Sequence, residues 1–408
     1  MNEASSPPAP GEAEVGWFGL SPFDRTLRDD PYPVLNAVRE EHPVHRTPVG
    51  DYRLFRHADV VRLLRDTKVG VRTTEGKLPG VDESVLERRF MLQQDPPNHT
   101  RLRRLVSKGF TPPSIERMRP HVQKLVDELL ERAAERGTLD VIADLARPLP
   151  STVICQMLGV PLKDRELFTD WSAQVTYLLV PRLISDAQRM RSLTAGAQLW
   201  GYMSSLIEQR RATPSDDLLS VLIRAEEEGD RLSSDELIVQ AIGLLVAGFE
   251  TTIGLIGNGV RQLLLHPDEL AKLRARPELI ASAVEECLRF DGPIPGTIRV
   301  LHEPAVFGGI EIPVNSPITV SLAAAHRDPR VFSEPDRFSI EREHSAHLAF
   351  GGGIHFCLGA HLARMEAQIA IGSLVRRWPV LELESERIEW GESLFRIQAR
   401  LPVHFRAT

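Results

Sequence analysis

The segment at residues 350–359, FGGGIHFCLG, constrains this chain more than any other part of it. Its three successive glycines give the backbone a freedom that lets a flat group approach closely. Cys357 lies just before a helical run, and the positive end of that helix is expected to lower the pKa of its thiol and favour the thiolate. A cysteine thiolate in such a loop can ligate a haem iron. The segment, called the cysteine loop below, predicts a haem-thiolate site, with a buried structural thiol as the alternative.

Length and composition are those of a large globular protein. A chain of 408 residues can bury a large core, and no linker, low-complexity tract or internal repeat divides it. We expect a disordered tail at residues 1–15, which is rich in Pro, Ala, Ser and Glu, followed by a single domain over residues 16–408. The net charge of -7 argues against general affinity for nucleic acid or for anionic membranes.

Cysteine usage and hydropathy indicate the compartment. The three cysteines are far apart in the sequence and give no disulfide framework, which indicates a reducing environment. The longest apolar run, near residues 238–249, is too short to span a membrane. The N-terminus lacks the order of a signal peptide. We therefore expect a cytoplasmic protein with no membrane partner.

Periodicity predicts a fold that is mainly α with small β-sheets. Ser233 and Glu236 form a capping box that opens a helix running to about Leu265, roughly 45–50 Å long. This helix is apolar on most faces, so it is expected to cross the core. The pattern also predicts one helix over residues 113–136, a hairpin over residues 45–55, and short strands within residues 300–320 and 380–405.

Residues 247–252, AGFETT, place an acid and an alcohol in the middle of this long helix. Burying Glu250 there is costly unless the carboxyl is used or satisfied. Gly248 weakens the helix and is expected to allow a local distortion. Thr251 has two interpretations: a chemical role beside Glu250, or a hydroxyl bonded to the carbonyl four residues back.

The helix predicted from residue 98 carries basic side chains on two faces. His99 and Arg103 are four residues apart and share one face, whereas Arg101, Arg104 and Lys108 lie nearly opposite. Two faces suggest two tasks, such as binding an anion on one side and meeting an acidic partner on the other. Ordinary surface charge is the alternative for both.

Together these segments resemble the cytochrome P450 family over roughly residues 20 to 405. The cysteine loop has every fixed position of the motif F-x-x-G-x-H-x-C-x-G, and residues 247–252 resemble the oxygen-activation motif A/G-G-x-D/E-T. Glu286 and Arg289 match E-x-x-R, and residues 335–338 match its partner segment. The resemblance implies that Arg337 completes a buried Glu-Arg-Arg network that holds the cysteine loop. It also implies the cytochrome P450 fold, with haem between the long central helix and the cysteine-loop helix.

The resemblance also implies a cofactor and the residues that serve it. The cofactor is haem b (iron protoporphyrin IX), with the thiolate of Cys357 as the metal ligand. The other implied cofactor-binding residues are His99, Arg103, Arg299, His355, Phe350 and Gly351. Thr251 and Glu250 are implied as the catalytic residues that deliver protons during the activation of O2.

The family's substrate pocket falls on mostly apolar residues here, although each of them could instead be core packing. They are Phe90, Leu178, Leu179, Gly243, Val246, Ala247, Ile294, Pro295, Leu394 and Phe395, with Leu78, Val81, Met91, Tyr177, Leu183, Ile184 and Thr297 in the same segments. Such a lining implies a hydrophobic substrate, for example a fatty acid, terpenoid, steroid or polyketide.

The resemblance therefore implies a monomeric haem-thiolate monooxygenase that inserts one oxygen atom from O2 into a hydrophobic small molecule. No reductase segment is recognised in the sequence, so we expect electrons from a ferredoxin or flavodoxin with its NAD(P)H-dependent reductase. One alternative is a haem-thiolate peroxygenase, isomerase or dehydratase, against which the Glu250-Thr251 pair argues. A second alternative is a non-catalytic haem protein that senses gas.

Overall fold

The structure is a computed structural model that describes residues 25–47, 50–79, 90–179, 184–224, 226–227, 230–343 and 346–406. The tail predicted at residues 1–15 and two of the pocket residues, Val81 and Leu183, lie outside the described residues. The prediction that the fold is mainly α with small sheets is confirmed.

The α-helices of the described ranges are α1 Arg25–Asp29, α2 Tyr32–Glu41, α3 His57–Arg65, α4 Asn98–Ser107, α5 Pro112–Glu116, α6 Arg119–Arg136, α7 Pro148–Met157, α8 Arg165–Thr176, α9 Asp186–Ala212, α10 Leu218–Arg224, α11 Ser234–Leu265, α12 Pro267–Ala275, α13 Ile280–Asp291, α14 Leu322–Ala325 and α15 Ala360–Arg377. The strands are β1 Val44–Arg46, β2 Tyr52–Leu54, β3 Val69–Gly70, β4 Leu139–Asp140, β5 Glu226–Glu227, β6 Asp230–Arg231, β7 Gly296–Leu301, β8 Ala305–Phe307, β9 Ile310–Ile312, β10 Pro317–Ser321, β11 Val380–Leu383, β12 Glu389–Trp390, β13 Gln398–Arg400 and β14 Pro402–Arg406.

The chain divides into two compact units, Met1–Pro79 with Ile294–Asp336, and Gly80–Pro293 with Arg337–Thr408. The first unit is built on a five-stranded sheet in the order β1-β2-β10-β7-β3, in which only the β10–β2 pair is parallel. The hairpin predicted over residues 45–55 is the β1–β2 pair at one edge of this sheet. Strands β8 and β9, which are consecutive in the sequence, pair with each other. Helices α2 and α3 both contact α14, around a small core that contains Leu35, Phe55 and Ala324.

The second unit is organised around α11. The predicted capping box is present, because the Ser233 hydroxyl accepts from the Glu236 amide and the Glu236 carboxylate accepts from the Ser233 amide. Helix α11 packs against α7, α8, α9, α13 and α15. It is long and apolar enough to cross a membrane, but its most apolar window is 78% buried inside the protein. It is therefore the core helix that the sequence predicts.

Side-chain hydrogen bonds attach the chain's C-terminal segment to α11. Asn258 donates from Nδ2 to the carbonyls of Asp291 and Arg396, at 3.1 and 2.9 Å, and accepts from Gln398 at 3.1 Å. Arg396 also pairs with the Asp291 carboxylate at 3.0 Å. These bonds satisfy the buried Asn258 side chain and fix the turn that precedes Arg396 against the middle of α11.

The single helix predicted over residues 113–136 is wrong in one respect. The structure has two helices there, α5 and α6, separated by Arg117 and Met118. Pro120 is the reason: it has no amide hydrogen to continue a helix but is well tolerated in the first turn of a new one. The break leaves α6 packed along α15, the helix that follows the cysteine loop.

Candidate active site

Backbone hydrogen bonds hold the cysteine loop. The Cys357 amide donates to the Phe350 carbonyl at 2.9 Å, and the Gly351 amide donates to the Leu348 carbonyl at 2.8 Å. Gly351 and Gly353 have φ angles of 70° and 65°, a left-handed conformation that favours glycine. The glycines are therefore needed for the loop to turn back and present Cys357 ahead of α15.

The thiol of Cys357 lies among opposing electrostatic influences. The residue is accessible to solvent, yet protein atoms surround it on most sides, as for a side chain that lines a concave space. Burial raises the pKa of the Cys357 thiol, against the lowering effects of the Gly359 amide and the guanidinium groups of Arg103 and Arg364. The lowered pKa expected from the helix end is thus wrong for the protein alone. Metal ligation removes a thiol proton outright, and the Gly359 amide and the two guanidinium charges favour the resulting thiolate.

Three of the predicted haem-binding side chains lie together near Cys357. The imidazole rings of His99 and His355 have their centroids 4.3 Å apart, and His99 is buried. Arg103, one turn along α4 from His99, is half-buried, and burial lowers the pKa of its guanidinium while the charge of Cys357 opposes that effect. Within the part of the chain that the structure describes, Arg103 makes no hydrogen bond or ion pair. A partly desolvated cation without an anion fits a carboxylate ligand, such as a haem propionate.

The opposite face of α4 is less uniform than its sequence suggests. Arg101 is half-buried and forms an ion pair with Glu236 of the α11 capping box. Arg104 and Lys108 are exposed. The basic stripe predicted for a redox partner therefore consists of two exposed cations rather than three.

Glu250 is a buried carboxyl whose surroundings come from distant parts of the chain. It is 6% exposed, and its Oε2 atom is buried without a hydrogen-bond partner. Burial raises the pKa of Glu250 to about 7, against the lowering effects of the Arg147 charge and of the Thr176 and Ser393 hydroxyls. The carboxyl can therefore hold or release a proton near neutral pH.

Thr251 lies on the one accessible face in the middle of α11. Its hydroxyl donates to the Ala247 carbonyl over 3.4 Å, a long contact of the kind expected for a back-bonded helical threonine. Ala247 is exposed, and Val246, Gly248 and Thr251 are half-buried, whereas their neighbours along the helix are buried. Helix α11 continues through Gly248, where a Cβ would lie 3.1 Å from Ile154 of α7, so close packing explains the glycine. A local distortion at this position stays a prediction.

The predicted pocket residue Phe90 packs directly on α11. A Cβ on Gly243 would lie 2.0 Å from the Phe90 ring, so this contact requires glycine. Phe90 is half-buried and Gly243 is buried. The Met91 amide, next in the chain, donates to Gln240 at 3.1 Å and attaches this segment to the same helix.

The two other predicted pocket segments of this unit are joined to each other. The Tyr177 hydroxyl donates to the Glu392 carbonyl at 2.9 Å, which ties the turn after α8 to the turn before β13. In these turns Leu178, Leu394 and Phe395 are buried and Leu179 is half-buried. Their role in substrate binding stays a prediction, and so does that of Val246 and Ala247.

Arg299, Ile294 and Pro295 belong to the first unit. Arg299 lies on β7, is buried, and donates to the Thr297 hydroxyl at 3.2 Å and the Ile298 carbonyl at 2.8 Å. Ile294 and Pro295 are half-buried just before that strand. Their proposed contacts with cofactor and substrate stay predictions.

A buried Glu-Arg-Arg network is present around Glu286. Glu286 is fully buried and accepts from Arg289 at 2.7 and 2.8 Å. A second guanidinium on Glu286 is that of Arg342, at 3.3 Å. The role predicted for the Arg337 side chain stays a prediction. Arg337 is exposed and contributes its carbonyl, which accepts from both Arg289 and Arg342.

A surface cleft of about 580 Å³ between α8 and α9 is separate from these groups. It is lined by Asp170, Trp171, Ala173, Gln174, Met190, Arg191, Thr194, Ala195 and Gln198. None of the predicted site residues lines this cleft, so it gives no support to the predicted substrate pocket.

Sequence reasoning missed several residues of this site. Arg147, Thr176 and Ser393 surround Glu250, and no spacing in the sequence links them to it. Arg342 lies four residues beyond the segment that the family motif singles out, residues 335–338. The signal available for Arg342 was its place in the sequence SIER, directly after that segment.

Comparison with known proteins gives a consistent result over nearly the whole chain. The family model for "Cytochrome P450" matches residues 54–395. The chain is 42% identical to the cytochrome P450 monooxygenase PikC of Streptomyces venezuelae, covering 95% of this chain and 94% of that protein. It is 40% identical to the vitamin D(3) 25-hydroxylase of Pseudonocardia autotrophica, covering 93% and 95%. The crystal structure of P450BioI, in complex with an acyl carrier protein that carries hexadec-9Z-enoic acid, superposes with a TM-score of 0.87 at 35% identity, covering 93% and 99%.

Proposed function

Because this chain belongs to the cytochrome P450 family and is a P450 monooxygenase, we propose that it inserts one oxygen atom from O2 into a hydrophobic small molecule at a haem ligated by Cys357. Haem b, when bound, supplies the iron chemistry that activates O2 and oxidises the substrate. The observation that carries the proposal is Arg103, a half-buried cation with no counter-anion in the described chain, close to the thiol of a glycine-shaped loop.

The side chains around the loop have separate tasks in this proposal. Cys357 donates its thiolate to the metal, and its amide bond to Phe350 keeps the sulfur at one position. Arg103 pairs with a propionate, and His99 and His355 donate to the same carboxylates. Arg299 has the same role from β7, and Gly351 leaves room for the flat macrocycle.

Glu250 and Thr251 supply protons in this proposal. A carboxyl with a pKa of about 7 takes up a proton from one side and gives it up on the other without a large change in free energy. The hydrogen bond from the Thr251 hydroxyl to the Ala247 carbonyl is long and therefore weak. The hydroxyl can therefore rotate and donate instead to an acceptor on the substrate side of α11. The Thr176 and Ser393 hydroxyls keep the Glu250 carboxyl oriented between proton transfers.

The substrate is a hydrophobic molecule such as a fatty acid, terpenoid, steroid or polyketide. The predicted pocket residues are apolar, and the accessible face of α11 beside Thr251 carries only Val246, Ala247 and Gly248. A relative at 40% identity is a hydroxylase of vitamin D(3), and a related structure holds a fatty acyl chain on its carrier protein. Both molecules are large and apolar, which supports this class.

Electrons come from a ferredoxin or flavodoxin with its NAD(P)H-dependent reductase. Arg104 and Lys108 are exposed on α4, the helix that carries Arg103, and can attract an acidic partner. We further propose that the protein works in the cytoplasm as a monomer. Product formed with peroxide alone, at a rate that omission of the redox partner leaves unchanged, would instead favour a peroxygenase.

Reconstitution with haem tests the proposal directly. We expect the reduced protein to give the red-shifted carbon monoxide spectrum of thiolate ligation, and Cys357→His to lose it. Cys155→Ala, which removes a buried thiol elsewhere in the same unit, is the matched control and should keep it. A colourless parent, or one whose iron is held by nitrogen, would refute the proposal. Carbon monoxide binding without turnover of any hydrophobic compound would favour a gas sensor.

A further inference from the structure

We propose that Glu285, His347 and Arg364 are positioning residues for Cys357: they brace the Phe350 ring and hold a guanidinium charge that acts on the sulfur. This inference rests on the proposed function, because it concerns how the protein sets the electronic state of the cysteine ligand. The three residues come from α13, from the segment before the cysteine loop, and from the first turns of α15.

The cluster is a tightly bonded ion pair with a histidine. Arg364 donates to Glu285 from Nε at 2.6 Å and from Nη2 at 2.8 Å, the two-pronged geometry in which arginine recognises a carboxylate. His347 Nε2 lies 2.7 Å from the second Glu285 oxygen. Burial alone raises the pKa of Glu285, but the bonds from Arg364 and His347 outweigh it and lower that pKa to about 2. The carboxylate is therefore charged whenever the protein is folded at neutral pH.

The cluster holds the cysteine loop at two points. The Arg364 guanidinium lies over the Phe350 ring, 4.3 Å from its centroid, and the Phe350 carbonyl is the acceptor for the Cys357 amide. His347 Nδ1 accepts from the Ala349 amide at 3.3 Å, immediately before Phe350. Displacing Arg364 would thus release both the ring and the carbonyl that fixes the cysteine.

The positive member of the cluster is placed against the cysteine loop. The Arg364 guanidinium lies over the Phe350 ring of that loop, whereas the Glu285 carboxylate is hydrogen-bonded to Arg364 and His347. The Glu285 carboxylate opposes the guanidinium charge, which weakens the effect of that charge on the sulfur. A positive charge near an electron-rich ligand stabilises the reduced state of the bound metal.

Arginine suits this position better than lysine does. A planar guanidinium can stack on Phe350 and at the same time donate two bonds in its own plane to Glu285, whereas an ammonium can provide the charge alone. Arg364→Lys keeps the charge without the stacking and the two in-plane bonds, so this variant distinguishes positioning from charge.

The test is the haem reduction potential of the reconstituted protein, measured by spectroelectrochemical titration. Arg364→Met removes the cation and should lower the potential, and Glu285→Gln leaves that cation uncompensated and should raise it. We expect each change to alter the reduction equilibrium about tenfold, which is about 59 mV for one electron. Arg376→Met, at an exposed position about three turns further along α15, is the matched control and should leave the potential unchanged.

Shifts of opposite sign support the inference, since a purely structural defect would not reverse direction between the two variants. Shifts of the same sign, or none, overturn it. If Arg364→Met loses haem, the other two variants, Glu285→Gln and Arg364→Lys, test the inference. A raised reduction potential in Glu285→Gln, together with a potential near the parent value in Arg364→Lys, supports it. Reduction potentials equal to the parent value in both variants overturn it. A parent without the thiolate spectrum would refute the proposed function instead, so the two failures are distinguishable.

Discussion

Several side chains are held in environments that cost folding free energy, and such a cost is a sign that the residue has a function. Arg103 is a partly desolvated cation without an anion in the described chain, and Glu250 is a buried carboxyl with one orphan oxygen. Glu366 on α15 is a third such group, fully buried with its Oε2 unpartnered, and burial raises its pKa to about 8. Only Arg103 and Glu250 are among the residues that the family resemblance singles out.

Thr251→Ala should separate oxygen activation from haem binding. We expect the variant to keep its haem and its carbon monoxide spectrum, because the Thr251 hydroxyl makes one long hydrogen bond within the described ranges of the chain. Product formed per NAD(P)H consumed should fall by roughly a hundredfold, the lower end of what a positioned proton donor contributes, and released peroxide should rise.

Thr169→Ala on α8 is the control for this substitution, since Thr169 makes the same back-bond to the carbonyl four residues earlier, at 3.0 Å. It should leave the ratio of product to peroxide unchanged. A Thr251→Ala enzyme that stays as well coupled as the parent would show that this hydroxyl only satisfies its helix.

Arg342 and Arg337 should differ sharply in their effect on stability. Arg342→Ala removes a guanidinium from the fully buried Glu286, so we expect a loss of about 3 kcal/mol in the free energy of unfolding. Arg337→Ala keeps the carbonyl that both arginines use and should cost less than about 1 kcal/mol. Denaturant unfolding of the two variants compares them, and equal losses would contradict the assignment of Arg342.

At the scale of elements, the contact between Phe90 and α11 depends on the absence of a single methyl group. Gly243→Ala would overlap the Phe90 ring, and we expect it to cost about 1–3 kcal/mol and to weaken binding of hydrophobic ligands. Phe90→Ala in the same chain removes the overlap, so the double variant should be more stable than the sum of the two single losses predicts. Thermal unfolding of the four proteins gives this coupling, and strict additivity would mean that the two residues do not touch.

The elements that could be predicted from the sequence carry their signals locally. The capping box at Ser233 and Glu236 predicts where α11 begins, and the turn between β1 and β2 predicts a hairpin, because both depend on neighbouring residues. The break between α5 and α6 also has a local signal in Pro120, although the periodicity of residues 113–136 predicts one longer helix. Such errors concern boundaries and leave the fold class unchanged.

The site was predictable only where a motif spans it. Cys357, His99 and Arg103 come from two segments with recognisable spacing, and the structure brings them together near one thiol. The groups around Glu250 and the Arg342 guanidinium depend on tertiary packing between distant segments, so no periodicity could find them. The direction of the Cys357 pKa was wrong for a related reason: desolvation depends on the three-dimensional surroundings, whereas the helix end is visible in the sequence.

For the whole molecule, the buried carboxyls predict how stability depends on pH. Glu285 has a folded pKa of about 2, below its ordinary value, so its contribution is present above pH 4.5 and is lost as the pH falls towards 2. Glu366 and Glu250 have folded pKa values of about 8 and 7, above the ordinary 4.5. For them the folded state binds more protons than the unfolded chain, so their contribution is complete below pH 4.5 and is lost as the pH rises through 7 to 8. Stability should therefore be highest on the acid side of neutrality.

Glu366→Gln tests this profile because the amide keeps the shape of the carboxyl but cannot ionise. Relative to the variant, the parent should lose about 1.4 kcal/mol of unfolding free energy per pH unit across the window from pH 5 to pH 8, as an upper bound. Glu382→Gln, at an exposed position of β11, should track the parent at every pH. Denaturant unfolding of the haem-loaded proteins at several pH values measures these differences. A difference between Glu366→Gln and the parent that does not change with pH would mean that Glu366 is already ionised in the folded protein, with a counter-charge that compensates its burial.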